Sequence, residues 1–205
     1  MNVRLATLAA SVLLLNSANT FAASSVDLTV KGLIVPSACT PSLSGGGVID
    51  HGKISAKDLN SDRITVIGNN SLSMAVNCDA PILFALHSID NRAGSGLATD
   101  YGLGFINDTQ KLGRYSLTLR NPITGDGTVV QTIGSYDQEN WYAEKFWDPG
   151  MYMSVAAMDD DTQPVPVQDL NVDLEVQTII NRADGLDLSN EVNIDGSATL
   201  EVKYL

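Results

Sequence analysis

The strongest constraint on this chain is an alternation of period two that recurs from end to end. Leu72, Met74, Val76 and Cys78 alternate with Ser71, Ser73, Ala75 and Asn77, and Val172, Leu174, Val176, Thr178 and Ile180 repeat the pattern a hundred residues later. Successive side chains of a strand point to opposite faces, so such a segment buries one face and solvates the other. Tyr115, Leu117 and Leu119 alternate up to a predicted turn at Asn121-Pro122. Thr128 to Ile133 and Met151 to Met158 add further strands. Ile82 to Ile89 is nearly continuously apolar, as in a strand covered on both faces, and follows a predicted break at Asp79-Ala80-Pro81. Apart from a short piece near Ser55 to Leu59, no segment holds a 3.6-residue period long enough for a helix. Short strands separated by Gly and Pro predict an all-β chain, an antiparallel sandwich.

The two ends carry the most specific expectation. Val26 to Ile34 and Ala198 to Leu205 both read as alternating strands. The second runs into the C-terminus, which predicts a strand with an uncovered outer edge, and an unpaired edge is a template for pairing with another chain. The N-terminal strand is the candidate to supply that cover in a neighbouring copy, by β-strand addition.

Arg4, the apolar run Leu5 to Leu15 and the small residues after Phe21 read as a secretion signal spanning residues 1–22, with cleavage after Ala22 or Ala23. The apolar run is too short for a spanning helix. The sequence has 24 acidic and 12 basic residues, and loss of Arg4 with the signal leaves a formal net charge of −13. Such a chain repels nucleic acid and anionic lipid, and its acidity reads as solubility outside the cytoplasm. About 180 mature residues are one ordinary domain. The expected organisation is a signal (1–22), an N-terminal extension (23–34) and a sandwich domain (35–205).

Cys39 and Cys78 are the only cysteines. In an exported protein they read as one disulfide, closing a long loop for roughly 3 to 4 kcal/mol of stabilisation. A metal site is not expected, because His51 and His87 stand apart and no ligand set of zinc spacing accompanies the cysteines.

The loops read as structural. Ser44-Gly45-Gly46-Gly47 lacks the lysine and the strand-to-helix setting of a phosphate loop. Gly94-Ser95-Gly96 lacks nucleophile-elbow spacing, and Asp159-Asp160-Asp161 lacks the alternating ligands of a calcium loop. Asp90-Asn91-Arg92 reads as an Asx turn that leaves Arg92 to pair with a carboxylate. Trp141, Tyr142, Phe146 and Trp147 cluster between strands. They read first as cover for the end of the core and second as a stacking surface for a sugar, with Trp141, Tyr142 and Trp147 as the candidate ligand aromatics. No histidine, serine or carboxylate pair stands in a catalytic pattern, and the chain is read as a non-enzyme without cofactors.

Leu28 to Pro36 followed by Cys39, the second cysteine at a strand end, and an alternating C-terminal strand with penultimate Tyr204 resemble the subunits of chaperone–usher fimbriae. Cys39-Thr40-Pro41, Leu43 to Gly47, Asp90 to Ser95 and Ala198 to Val202 are similar to an uncharacterised family of exported fimbrial-like proteins of proteobacteria. The resemblance implies a pilin-type, immunoglobulin-like sandwich lacking its last strand. It implies a structural role in a fimbria or related surface fibre, reached through the periplasm with a chaperone and an outer-membrane usher. It assigns Val26, Leu28, Val30 and Gly32 to a donor strand that enters another subunit, or a second copy of this chain. Leu200, Val202 and Tyr204 would form the strand that a chaperone holds. Two departures are a short donor arm and Gly196, which lies closer to Tyr204 than the corresponding glycine of pilins. The alternative is a monomeric, self-complemented exported module that binds a glycan.

Overall fold

The computed structural model of the protein describes residues 28–32, 38–97 and 99–205. The chain divides into two units, Met1–Ile34 and Val35–Leu205. Of the first, Leu28–Gly32 has no regular secondary structure, and Leu28 and Val30 are 89% and 88% exposed. The predicted signal and, of the N-terminal extension, residues 23–27, 33 and 34, with Val26 among them, lie outside the described residues.

The second unit is an antiparallel β-sandwich. One sheet has the order β1 (Cys39–Leu43), β2 (Thr65–Ile82), β12 (Val167–Ile180), β7 (Gly113–Thr124), β10 (Phe146–Trp147), with β4 (Tyr101–Gly102) also on β7. The other has the order β13 (Ala198–Tyr204), β3 (Phe84–Asp90), β11 (Tyr152–Ala156), β8 (Gln131–Ser135), β9 (Tyr142–Ala143). A hairpin of β5 (Phe105–Ile106) and β6 (Gln110–Lys111) stands apart. Helical structure among the described residues is confined to three short 3₁₀ turns. One of them, Ala56–Asp58, falls where the short helical piece is predicted and is capped by the Ser55 hydroxyl.

The alternating residues fill the core as their period requires. Met74 and Val76 of β2, Leu117 and Leu119 of β7, and Val172, Leu174 and Val176 of β12 face Phe84 and Leu86 of β3 and Met153 and Val155 of β11. Each such side chain contributes about 1.5–3 kcal/mol on burial. β3 is covered on both faces only near Ala85; towards its end the outer face opens, and Ile89 is 41% exposed, contrary to what its apolar run predicts. Ala85, on its outer side, packs with Ile133, Ala156 and Trp141 in a second cluster.

Two predicted strand ends are wrong, and both involve proline. β2 continues through Asp79-Ala80-Pro81 to Ile82, and β7 continues through Asn121-Pro122 to Thr124. In each case the partner ladder shifts register: β12 pairs Asp169 with Asn77 and then Val167 with Ile82, and its pairing with β7 is interrupted between Asn171 and Asp173. Proline lacks the ladder N–H, and an irregularity absorbs it without ending the strand.

One side of the sandwich is sealed by a run that changes sheets. Tyr142 and Ala143 pair with Gly134 and Ile133 of β8, and Phe146 and Trp147 pair with Thr118 and Leu117 of β7. Between them the Glu144 N–H donates to the Thr132 carbonyl (3.2 Å) and the Lys145 carbonyl accepts from the Leu119 N–H (2.8 Å). Trp147, 1% exposed, plugs this side, with its indole N–H donating to the Met151 carbonyl at 3.0 Å.

Candidate functional site

The other side of the sandwich is open. β1 ends one sheet and β13 ends the other, and both contribute to an apolar groove of about 270 Å³. Leu43 of β1 and Ala198 and Leu200 of β13 form its walls, and its floor is the inner face of the first sheet at Leu72, Leu174, Val176 and Leu117. Leu174 is buried, whereas Leu43, Leu72 and Leu200 are only half covered. The same alternation that fills the core therefore continues to a margin where the covering by the opposite sheet is incomplete, at Leu43, Leu72 and Leu200. The groove lining contains no Asp, Glu, Lys or Arg. The His51 ring pairs through Nε2 with the Thr178 hydroxyl at 3.1 Å, and burial pushes the Tyr115 hydroxyl well above its ordinary pKa.

Gly196 permits the approach to β13. A β-carbon there would come within 2.9 Å of both Leu103 Cδ2 and Tyr115 Cε1, so the segment lies against Tyr115 only because it has no side chain. Nearby, Arg92 makes a two-pronged pair with Asp195 (2.8 Å for Nε to Oδ2 and for Nη2 to Oδ1), while the Asp90 carboxylate accepts the Arg92 N–H at 2.8 Å in the predicted Asx turn. These bonds tie the segment before β13 to the end of β3.

At its other end β13 reaches β1. The Tyr204 hydroxyl accepts the backbone N–H of Cys39 at 2.9 Å. Cys39 stands directly opposite Cys78 across the β1–β2 pair and is bonded to it, with the Cα atoms 4.0 Å apart. That distance suits a pair that exchanges no ladder hydrogen bonds, which leaves the Cys39 N–H free for Tyr204. Leu200 and Val202 pack against the core, while Glu201 on the outer face pairs with Lys203 (2.8 Å) and with His87 (3.1 Å). Lys203 first, and His87 after it, hold the Glu201 carboxyl below the ordinary carboxylate range.

The candidate ligand aromatics do not form one surface. Trp147 is buried, and Trp141 is buried with its indole donating to the Gln138 carbonyl at 3.1 Å. Both are core cover, the first of the two roles their clustering suggests. Tyr142 alone of the three is exposed, as are Tyr136 and Phe146. Tyr136 lies outside the cluster that the sequence marks, and its only signal was a tyrosine two residues beyond a strand glycine. Leu43 and Leu72 were likewise unmarked as groove residues, since half-burial of an alternating leucine has no sequence signature.

The loops behave as turns. Gly45, Gly46 and Gly47 take positive φ, and the Ser44 hydroxyl accepts the Ser73 N–H. Ser95 is fully buried, its hydroxyl donating to the Arg92 carbonyl and accepting from the Gly104 N–H. Asp160 accepts from Thr162. Among the described residues no group of three His, Cys, Asp or Glu is placed to hold a metal ion.

Residues 28–100 match a family model described as "Protein of unknown function (DUF1120)". That span takes in Leu28–Gly32, β1, both cysteines, β2 and β3. Protein GltF of Escherichia coli (strain K12) is 25% identical to this chain over 87% of it and 88% of GltF. The uncharacterized protein YhcF of the same strain is 28% identical over 90% of this chain and 92% of its own length.

Proposed function

We propose that the protein is a structural subunit of a fimbria or related surface fibre, and that its groove receives an extended strand from another subunit or a second copy of this chain. The observation that carries this reading is an uncharged apolar groove beside the outer edge of β13. Uncovered apolar surface costs about 25 cal/mol per Å², and a strand laid beside β13 removes it while completing the backbone ladder. A periplasmic chaperone holds the same groove before assembly, contacting Leu200, Val202 and Tyr204, and an outer-membrane usher orders the exchange. Leu28, Val30 and Gly32, together with Val26, form the segment that enters the neighbour. The protein performs no catalysis, and the disulfide fits the oxidising route that export requires.

The test is expression of the mature chain with and without residues 23–31, alone and together, followed by electrophoresis in SDS without boiling. The intact chain should form a ladder of oligomers, and the truncated chain should accept a strand but not extend the ladder. A truncated chain that polymerises as well as the intact one, or an intact chain that is monomeric under all conditions, overturns the subunit reading.

A further inference from the structure

The groove does not end where β13 begins. Its floor steps along β12 through Leu174, Val176 and Thr178, and the next side chain of that parity, Ile180, floors a second cleft of about 470 Å³. Ile49 and His51 on one wall and Ile194 on the other line both spaces. Past them one wall is drawn from residues 52–59 and the other from residues 188–193. Floor and walls continue in the same order, so groove and cleft form one channel along β12.

The second half of this channel is walled by backbone left unpaired. Residues 49–54 belong to no helix or strand, and their one backbone hydrogen bond runs from the Gly52 N–H to the Asp50 carboxylate at 2.7 Å. Neither the N–H nor the carbonyl groups of Glu191, Val192, Asn193 and Ile194 have a protein partner among the described residues. Each peptide unit carries a donor and an acceptor, so two unpaired runs flanking a channel suit a third chain lying extended between them.

Length identifies that chain. β13 has seven residues, about 20 Å from first to last, whereas residues 23–34 extend about 36 Å at about 3.3 Å per residue. An N-terminal segment laid along β13 therefore overshoots it by about 16 Å, and the cleft is the seat in line with it. Charge identifies the direction. Lys31 is the one basic residue of that segment and Asp27 the one acidic residue, and the cleft presents Asp50 and Glu191 against Lys53 alone. Entry of residues 31–34 brings opposite charges together, whereas entry of the other end brings Asp27 to the two carboxylates. Direction in turn identifies the copy. The five peptide links from Ile34 to Cys39 reach at most about 18 Å, while Cys39 is tied to Tyr204, about 20 Å from the start of β13 and farther still from the cleft. Residues 31–34 seated in the cleft belong to another molecule.

We propose that the cleft is a second receiving site, which takes residues 31–34 of a second copy of this chain with Lys31 facing Asp50 and Glu191, while β13 takes the residues before them. The inference rests on the strand-acceptor reading and adds to it a direction and a polar anchor outside the apolar groove.

The experiment joins engineered cysteines in the full mature chain, exported to the periplasm, with bismaleimidoethane. One variant carries Leu33→Cys and Asn193→Cys and reports on the cleft; another carries Thr29→Cys and Thr199→Cys and reports on β13. Both should give a covalent ladder in boiled, reduced samples. A ladder from the second variant alone overturns the cleft and leaves the strand-acceptor reading standing. No ladder from either overturns both, and a link within one molecule, mapped by mass spectrometry, overturns the second copy as occupant. Glu191→Lys, at an exposed residue without a partner among the described residues, should reduce the unboiled ladder of the chain about two- to fivefold, and adding Lys31→Glu should restore it. An undiminished ladder with Glu191→Lys, or no restoration by Lys31→Glu, overturns the assigned facing of Lys31.

Discussion

At one side of the sandwich the run Tyr142–Trp147 hydrogen-bonds to both sheets and a buried tryptophan fills the gap, whereas at the other side β1 and β13 leave a lined but uncovered groove. Both sides face the same requirement, since a sheet edge exposes unpaired backbone and the core beside it exposes apolar side chains. One is answered within the chain by a strand that switches sheets. The other is unanswered among the described residues, although its walls have the same apolar composition. The difference teaches that the groove is not a packing failure of a poor sequence. Leu174 and Val176 at its floor belong to the same strand as Leu170 and Val172 in the closed core.

The largest effect should come from the sealed side. Trp147→Ala removes the largest fully buried side chain of this side, and it should cost about 3–5 kcal/mol in urea unfolding. A loss below about 1 kcal/mol would mean that this side is no better filled than the groove. Next is the disulfide. Replacing Cys39 and Cys78 together with serine should cost roughly 3 kcal/mol, read as a shift of the urea midpoint that reductant reproduces in the native chain. At the open side, Leu72→Ala should cost only about 2 kcal/mol because the residue is partly buried rather than enclosed, yet it should weaken uptake of a strand peptide. If it destabilises as much as Trp147→Ala, the two sides do not differ as described.

How far this contrast was legible in the sequence depends on which residues carry it. The alternation through Leu72–Cys78 and Val172–Ile180 reads directly as inward and outward faces, and the pairing of Cys39 with Cys78 follows from there being two cysteines. Pro81 and Pro122 misled because a local rule about donors was applied where the neighbouring strand could shift register. The sealing run was not legible as such. Its aromatics announce burial, but which of Trp141, Tyr142, Phe146 and Trp147 turn inward depends on a crossing between sheets that only the tertiary structure specifies. The groove was anticipated from the C-terminal strand, while its opposite wall at Leu43 was not.

Two smaller effects sharpen the open side. Tyr204→Phe deletes the bond to the Cys39 N–H and should cost about 1 kcal/mol, with faster amide exchange confined to the start of β1. Glu201 gives a pH signature of known sign. Its folded pKa lies below the ordinary carboxylate value, so its contribution is present above that value and fades as pH falls through the folded one. Because the group is exposed, the effect should be slight and reduced by salt. Glu201→Gln should flatten the acid limb of the stability curve only a little, and a large change would place the acid sensitivity of β13 in this pair.

The position of Pro41 bears on which of the two open edges can recruit a strand. Cys39 turns its N–H away from β2, toward Tyr204, and Pro41 and Leu43 follow at the same parity along β1. Along that outer margin one donor is spent on the tyrosine hydroxyl and the next is missing by covalent structure, so only Leu43 retains an N–H to offer. β1 is thereby an edge poor in donors: the outward carbonyls of Cys39, Pro41 and Leu43 accept hydrogen bonds, but the strand returns few N–H groups to a partner. The missing donor at Pro41 makes this five-residue strand a weaker template for indiscriminate sheet growth than an edge with its full set of N–H groups.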